Sequence, residues 1–259
     1  MIAELNDAGF EGFMETDHGV VGYLSSELYE KTDVNKLQFM QNSELGRIEI
    51  ETEFVVDKNW NELWESNYKP AVISEEIIVR APFHNTEATY KYDIIIEPKM
   101  SFGTGHHETT SLMIKLISKI NMQGKTVLDV GCGTGVLGIL SAMMGAKSVT
   151  ALDINEWAYE NTIENAKKNN VENIYVSLGG IDTVGDQFFD ILLANITRNV
   201  LLAEIPTYSH FLVKGGILLL SGFLNSDLAK ISEQCKINYL SSDSHVQKKD
   251  WIAAKFKKN

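Results

Sequence analysis

The stretch VLDVGCGTG, Val127–Gly135, decides the fold. An apolar run ends on an acid, Asp129, and three alternating glycines, Gly131, Gly133 and Gly135, lead into the helical pattern GVLGILSAMMGA. Glycine lets a backbone take positive φ and approach a ligand closely, so this is a strand–turn–helix built around a small molecule. The next apolar run, SVTALDI, brings a second acid, Asp153, 22 residues beyond Gly131. A carboxylate there can accept hydrogen bonds from both ribose hydroxyls of an adenosine. GTGVLG, Gly133–Gly138, formally satisfies the dinucleotide fingerprint GxGxxG, a weak signal alone.

The glycines begin two residues after Asp129, giving D-x-G-x-G-x-G, the pattern of class I methyltransferases that bind S-adenosylmethionine. That cofactor carries a sulfonium and an α-ammonium, which Asp129 can assist directly or through a water. Around the turn, strand-like runs (TVLDV, SVTALDI, NIYVSL, FDILLANI, GILLLSGF) alternate with helical ones. Near-continuous apolar strands are buried on both faces, as in a parallel doubly wound sheet. The tail, INYLSSDSHVQKKDWIAAKFKK, reads as two strands joined by a polar turn. It suits a sheet closed by an antiparallel strand better than a six-stranded parallel one. The helical run over Asn199–Leu212 is expected to break near Pro206.

Upstream the rhythm differs. Residues 2–8 read as a helix stopped by Gly9, followed by two short strands about a turn near Asp17–Gly19 and a helix over Ser25–Gln41. Residues 46–56, GRIEIETEFVV, alternate strictly, as in a half-buried strand. The expected organisation is a small α+β domain over 1–58, a linker helix over 59–69 and an α/β domain over 70–259.

Composition bounds the partners. At 44% hydrophobic and 22% charged residues the chain is an ordinary globular protein. No apolar run reaches the ~18–20 residues of a membrane span, and no signal peptide is recognised. Two cysteines without a CxxC give no disulfide framework or cysteine-built zinc site, and fit a reducing cytoplasm. Residues 1–69 hold 15 Asp/Glu against 5 Lys/Arg, and most of the net charge of −12. Such a segment repels nucleic acid and attracts basic partners, or is simply a solvated surface.

SFGTGHHETT, Ser101–Thr110, offers a metal reading through His106, His107 and Glu108 or a ligand-wrapping loop. Adjacent histidines are awkward ligands for one ion, and HHE is not HExxH, so no metal is assigned.

SFGTGHHETT, LDVGCGTGVLGI, ALDI and LLANI in this order and spacing closely resemble the family that methylates ribosomal protein L-eleven (PrmA), from about Gly9 to the end. The resemblance implies a seven-stranded Rossmann-like class I methyltransferase domain with a small ferredoxin-like N-terminal domain that captures the substrate. It implies an enzyme that uses S-adenosylmethionine to methylate lysine side-chain amines and the N-terminal amine of a basic large-subunit ribosomal protein, as a cytoplasmic monomer with no direct nucleic-acid or membrane contact. Matched by position, Thr110, Gly131, Asp153 and Asn195 are cofactor-binding, with Asp129, Gly133 and Ile154 beside them and Phe102, Gly103, Thr104 and Gly105 in the loop that folds over the cofactor. Asn195 also holds the incoming amine; His107 organises the loop, and His106 has no role. Related N-methyltransferases often read NPPY where this chain reads NITR, Asn195–Arg198, which argues against a planar base or amide substrate. The family's small domain usually begins with a strand before its first helix, and here the sequence starts at or inside that helix, so either the start lies upstream or the strand is absent. Alternatives are a methyltransferase for another protein or small-molecule amine, a non-catalytic adenosine-binding module and, more remotely, an NAD-dependent oxidoreductase.

Overall fold

A computed structural model describes residues 1–16, 19–41, 48–53, 68–86, 88–99, 103, 105 and 107–259. The chain divides into two compact units, Met1–Lys58 and Asn59–Asn259.

In the first unit, helix α1 (Ile2–Asp7) precedes an antiparallel hairpin, β1 (Glu11–Thr16) and β2 (Gly19–Tyr23). Leu5 and Phe39 are buried, and the Glu4 carboxylate accepts the Phe39 N–H at 3.1 Å. The helix expected over 25–41 is only one turn long, α2 (Ser26–Tyr29), capped by the Ser25 hydroxyl and followed by 3₁₀ turns at Val34–Lys36 and Gln38–Gln41. Thr32, Asp33, Val34 and Asn35 explain the break: β-branched and backbone-competing side chains carry a helix poorly. Residues 48–53, expected in a strand, are irregular, and Ile50 is exposed. Alternation buries a face only where a neighbouring strand pairs with it. Residues 46–47 and 54–56 of that strand and 59–67 of the linker helix lie outside the described residues. Among the described residues, this unit holds one two-stranded hairpin and short helices.

The second unit opens with a three-stranded sheet in which β4 (Ile77–Arg80) lies between antiparallel β3 (Ala71–Val72) and parallel β5 (Tyr92–Ile95). Arg80 grips Asp93 through two hydrogen bonds of 2.7 and 2.9 Å. Helix α3 (Glu108–Ile117) leads into the alternation β6 (Thr126–Val130), α4 (Val136–Met143), β7 (Ser148–Asp153), α5 (Glu156–Lys168), β8 (Ile174–Leu178), β9 (Phe189–Asn195), α6 (Arg198–Phe211), β10 (Leu212–Leu224), α7 (Leu228–Ile237), β11 (Leu240–Lys248) and β12 (Trp251–Lys258). The seven strands run in the order β8-β7-β6-β9-β10-β12-β11. Strands β6 to β10 are mutually parallel, and β12 is antiparallel to both its neighbours. This is the class I methyltransferase sheet.

Alternate residues of each strand feed opposite faces. Val127, Ile191 and Leu193 join the core formed with α3 and α4, while Leu128, Val130, Leu192 and Ala194 join the core formed with α6 and α7. The same alternation puts Asp129 and Asn195 on the α3/α4 face. Strand order reverses between β6 and β9, and ligands of open α/β sheets sit outside the carboxyl ends of strands at such a switch point. Helix α6 runs unbroken through Pro206, contrary to the expected break. Leu201, Ile205, Tyr208 and Ser209 bury one face while Pro206 is exposed, so the carbonyl that loses its donor is left on the wetter side.

Candidate cofactor and acceptor site

The turn after β6 is held by backbone geometry that only glycine adopts cheaply: φ is +67° at Gly131, +59° at Gly133 and +78° at Gly135. A Cβ on Gly131 would stand 2.5 Å from Ile196 Cγ2, and one on Gly135 would stand 2.7 Å from Thr162 Cγ2. Gly133 donates its N–H to Asp153 Oδ2 at 2.9 Å, and Thr162 Oγ1 donates to the Gly133 carbonyl at 2.9 Å. Asp153 Oδ1 accepts the Asn155 N–H at 3.0 Å. The end of β7 therefore braces the turn. Two backbone donors use only part of a carboxylate's acceptor capacity, so Asp153 retains room for two hydroxyls.

Asp129 is almost fully buried and accepts the Gly138 N–H at 3.0 Å. Burial pushes its carboxyl up to about 7; the Gly138 hydrogen bond opposes the rise and the nearby Asp153 charge adds to it. A cation beside Asp129 would favour its ionised form, which suits an ammonium ligand. Ile154, next to Asp153, is 82% exposed, and Leu178 at the end of the adjacent β8 is 48% exposed. Two bare aliphatic side chains at neighbouring strand ends offer an apolar surface to a flat ring.

At the end of β9, Asn195 donates through Nδ2 to the buried Thr110 hydroxyl on α3 at 3.4 Å. Its Oδ1 is buried without a hydrogen-bond partner. A buried carbonyl left unpaired costs about 1–3 kcal/mol, and such an exception asks for a missing donor. Thr110 takes the amide nitrogen, so the free end of Asn195 is the acceptor. His107 caps α3, its Nδ1 accepting from the Thr109 N–H at 3.3 Å and lying 2.8 Å from the Thr109 hydroxyl, and its ring meets Trp251 edge-on at 5.0 Å. Beyond Asn195, Thr197, Arg198, Phe223 and Trp251 help line a shallow depression. Arg198, in place of an aromatic platform, is paired with Asp227 at 2.8 Å.

Asp129, Gly131, Gly133, Asp153, Ile154, Thr110 and Asn195 thus gather at the carboxyl ends of β6, β7 and β9. Gly103 and Gly105 have φ of +110° and +86°, and a Cβ on Gly105 would press on Val79 and Ala71. Phe102, Thr104 and His106 lie outside the described residues. No group of three metal-binding side chains occurs among the described residues. The glycine cradle, the partly free Asp153 carboxylate and the orphaned Asn195 oxygen fit an adenosine-bearing methyl donor and an amine. Sequence reading missed Thr134, Asn161, Asn165 and Asn169. The asparagines' four-residue spacing, which stripes one helix face, was the available signal.

The family described as ribosomal protein L11 methyltransferase (PrmA) matches residues 6–259. A ribosomal protein L11 methyltransferase of Bacteroides fragilis is 40% identical, the match covering 99% of this chain and 92% of the relative. One from Phocaeicola vulgatus is 38% identical over 96% of this chain and 90% of its own. The crystal structure of a ribosomal protein L11 methylase from Lactobacillus delbrueckii subsp. bulgaricus superposes with a TM-score of 0.69 at 29% identity, covering 74% of this chain and all of that one.

Proposed function

The chain belongs to the ribosomal protein L11 methyltransferase (PrmA) family, and from that premise we propose that it methylates ribosomal protein L11 on lysine side chains and on the N-terminal α-amine. It is an S-adenosylmethionine-dependent protein methyltransferase. The observation that carries the acceptor chemistry is the buried, unpartnered Oδ1 of Asn195 at the switch point of the sheet.

Bound S-adenosylmethionine supplies an electrophilic methyl group on a sulfonium sulfur. Gly131 and Gly133 would admit the ligand against the backbone, Asp153 would accept from the ribose hydroxyls, Asp129 would answer the ammonium and Ile154 would hold the base. By resemblance to the family, Phe102, Gly103, Thr104 and Gly105 would contribute to cofactor binding. Asn195 accepts an N–H of the incoming amine and so directs the nitrogen lone pair, and Thr110 fixes which end of the amide does this. Most of the acceleration comes from such positioning. An amine of pKa ~10.4 is neutral in only about one molecule in a thousand near neutral pH. The site selects that form by desolvation, because Asn195 is a neutral acceptor and no base; the proton leaves to bulk water.

In this reading, residues 1–58 recognise the substrate, 59–69 link and 70–259 catalyse. The acid excess of residues 1–69 draws a basic protein and disfavours nucleic acid. The enzyme acts as a cytoplasmic monomer; no described helix is long and apolar enough to cross a membrane. Incubating ribosomal protein L11 with the enzyme and methyl-labelled S-adenosylmethionine, followed by mass spectrometry of its peptides, tests the proposal. Label on lysine and N-terminal amines is expected. Calorimetric binding of NAD without binding of S-adenosylhomocysteine would overturn it.

A further inference from the structure

The transfer chemistry makes no use of Thr134, the residue between Gly133 and Gly135. Yet its side chain is fully buried, and its hydroxyl reaches across 31 residues to donate to the Gly103 carbonyl at 2.7 Å. A buried threonine that opens a helix can satisfy itself on its own turn. This one instead joins the glycine turn to Gly103. Gly103 meets it with φ of +110°, and a Cβ there would stand 2.8 Å from Thr134 Oγ1, so the contact itself demands glycine.

The main chain of Thr134 is held from the other side. Asn165 Nδ2 donates to the Thr134 carbonyl at 2.9 Å while Asn165 Oδ1 accepts the Glu97 N–H at 2.8 Å. One turn on, Asn169 accepts the Ile95 N–H at 2.8 Å and donates to the Ile95 carbonyl at 2.6 Å. One turn back, Asn161 donates to the Glu97 carbonyl at 3.5 Å and accepts from Asn165 at 3.2 Å. Side-chain amides on and just beyond α5 thus stand in for a neighbouring strand along Ile95–Glu97, whose backbone groups need partners. Gly103, which Thr134 holds, follows Glu97 by six residues in sequence.

We infer that Thr134 is a positioning residue that ties the run at Gly103 to the glycine turn, with Asn165 anchoring both, so that the two parts that contact the cofactor are held as one body. The inference rests on the cofactor assignment made above. Its test is amide hydrogen exchange on the full chain, without ligand and with S-adenosylhomocysteine, for Thr134→Val, Thr134→Ser and Gly103→Ala. Losing the hydrogen bond in Thr134→Val should speed exchange over residues 100–107 in the ligand-free protein about tenfold and weaken S-adenosylhomocysteine to a similar degree, while Thr134→Ser restores both. Gly103→Ala breaks the same contact from the other side, so it decides the matter if Thr134→Val does not fold. The double variant should lose little beyond either single one. Unchanged exchange over 100–107 with a lowered melting temperature would make Thr134 a packing residue and overturn the inference. So would a loosened run with unaltered ligand affinity. A wild-type chain that binds no S-adenosylhomocysteine would instead sink the cofactor assignment, leaving the ligand-free exchange to judge the contact.

Discussion

Replacing Asn195 by alanine should change the stability of the ligand-free protein little while removing most of its turnover. Asn195 makes one long hydrogen bond, 3.4 Å to Thr110 Oγ1, and holds one buried acceptor with no partner. Losing the former costs about 0.5–1 kcal/mol at most, while removing the orphaned carbonyl returns about 1–3 kcal/mol of desolvation penalty. The small cavity left behind takes back about 1 kcal/mol or more. The terms nearly cancel, leaving a balance between about 1 kcal/mol against the variant and about 1.5 kcal/mol in its favour, at ~2–4 °C of melting temperature per kcal/mol for a unit of this size. The reaction, by contrast, loses the group that orients the amine. Single-turnover rates at saturating S-adenosylmethionine should fall ~100-fold with cofactor affinity changed far less, because orientation errors act on the chemical step. Differential scanning calorimetry and rapid quench on the same preparation read both numbers. A variant destabilised by more than ~2 kcal/mol that still turns over at the wild-type rate would refute the reasoning, since Asn195 would then be a structural cap at a strand end.

Asp153→Ala should weaken S-adenosylhomocysteine by ~1.5–3 kcal/mol in titration calorimetry, the range for hydrogen bonds to a charged group; unchanged affinity would remove Asp153 from the site. Gly131→Ala forces a Cβ to 2.5 Å from Ile196 at positive φ, so ligand binding should be lost with only ~1–2 kcal/mol of stability. Asp129 gives a pH signature. Its folded-state pKa, about 7, lies above the ordinary 3.8, so the stabilisation from its neutral form is complete below about pH 4 and is lost as pH rises to about 7. Asp129→Asn should therefore gain stability relative to wild type across that window, then hold the gain above it; a flat difference in denaturant midpoints would contradict this. Raising salt to ~0.5 M should increase KM for the ribosomal protein more than it lowers kcat, because exposed charges are screened at that strength.

The central sheet was legible because physical constraint and sequence pattern coincide there. Strands β6, β9 and β10 are buried on both faces and so read as continuous apolar runs, and the polar turn between β11 and β12 marked the antiparallel closure. Reading failed where a local pattern needed a distant partner. The alternation over 48–53 promised a strand that pairs with nothing among the described residues, Pro206 promised a break that the packing of α6 overrides, and two-residue β3 is too short to carry a pattern. Thr134 stands at an unspecified position of the glycine motif, and its contact is with a carbonyl 31 residues away.

The two acids show how far a motif reaches. D-x-G-x-G-x-G and the later Asp153 describe two carboxylates at adjacent strand ends, chemically identical on the page. Folding makes them different groups. Asp153 keeps partial contact with solvent and accepts two backbone N–H groups. Asp129, one strand inward at the switch point, is walled in by α4 with a single N–H, and its neighbour's charge works against its own. A carboxylate held near neutrality in this way gains most from a cation placed beside it, whereas a well-solvated one gains least. Asp129 therefore favours a ligand with a positive centre over a pyrophosphate, whose like charge would raise its pKa further. The spacing admits either cofactor, and the burial of this one residue favours S-adenosylmethionine.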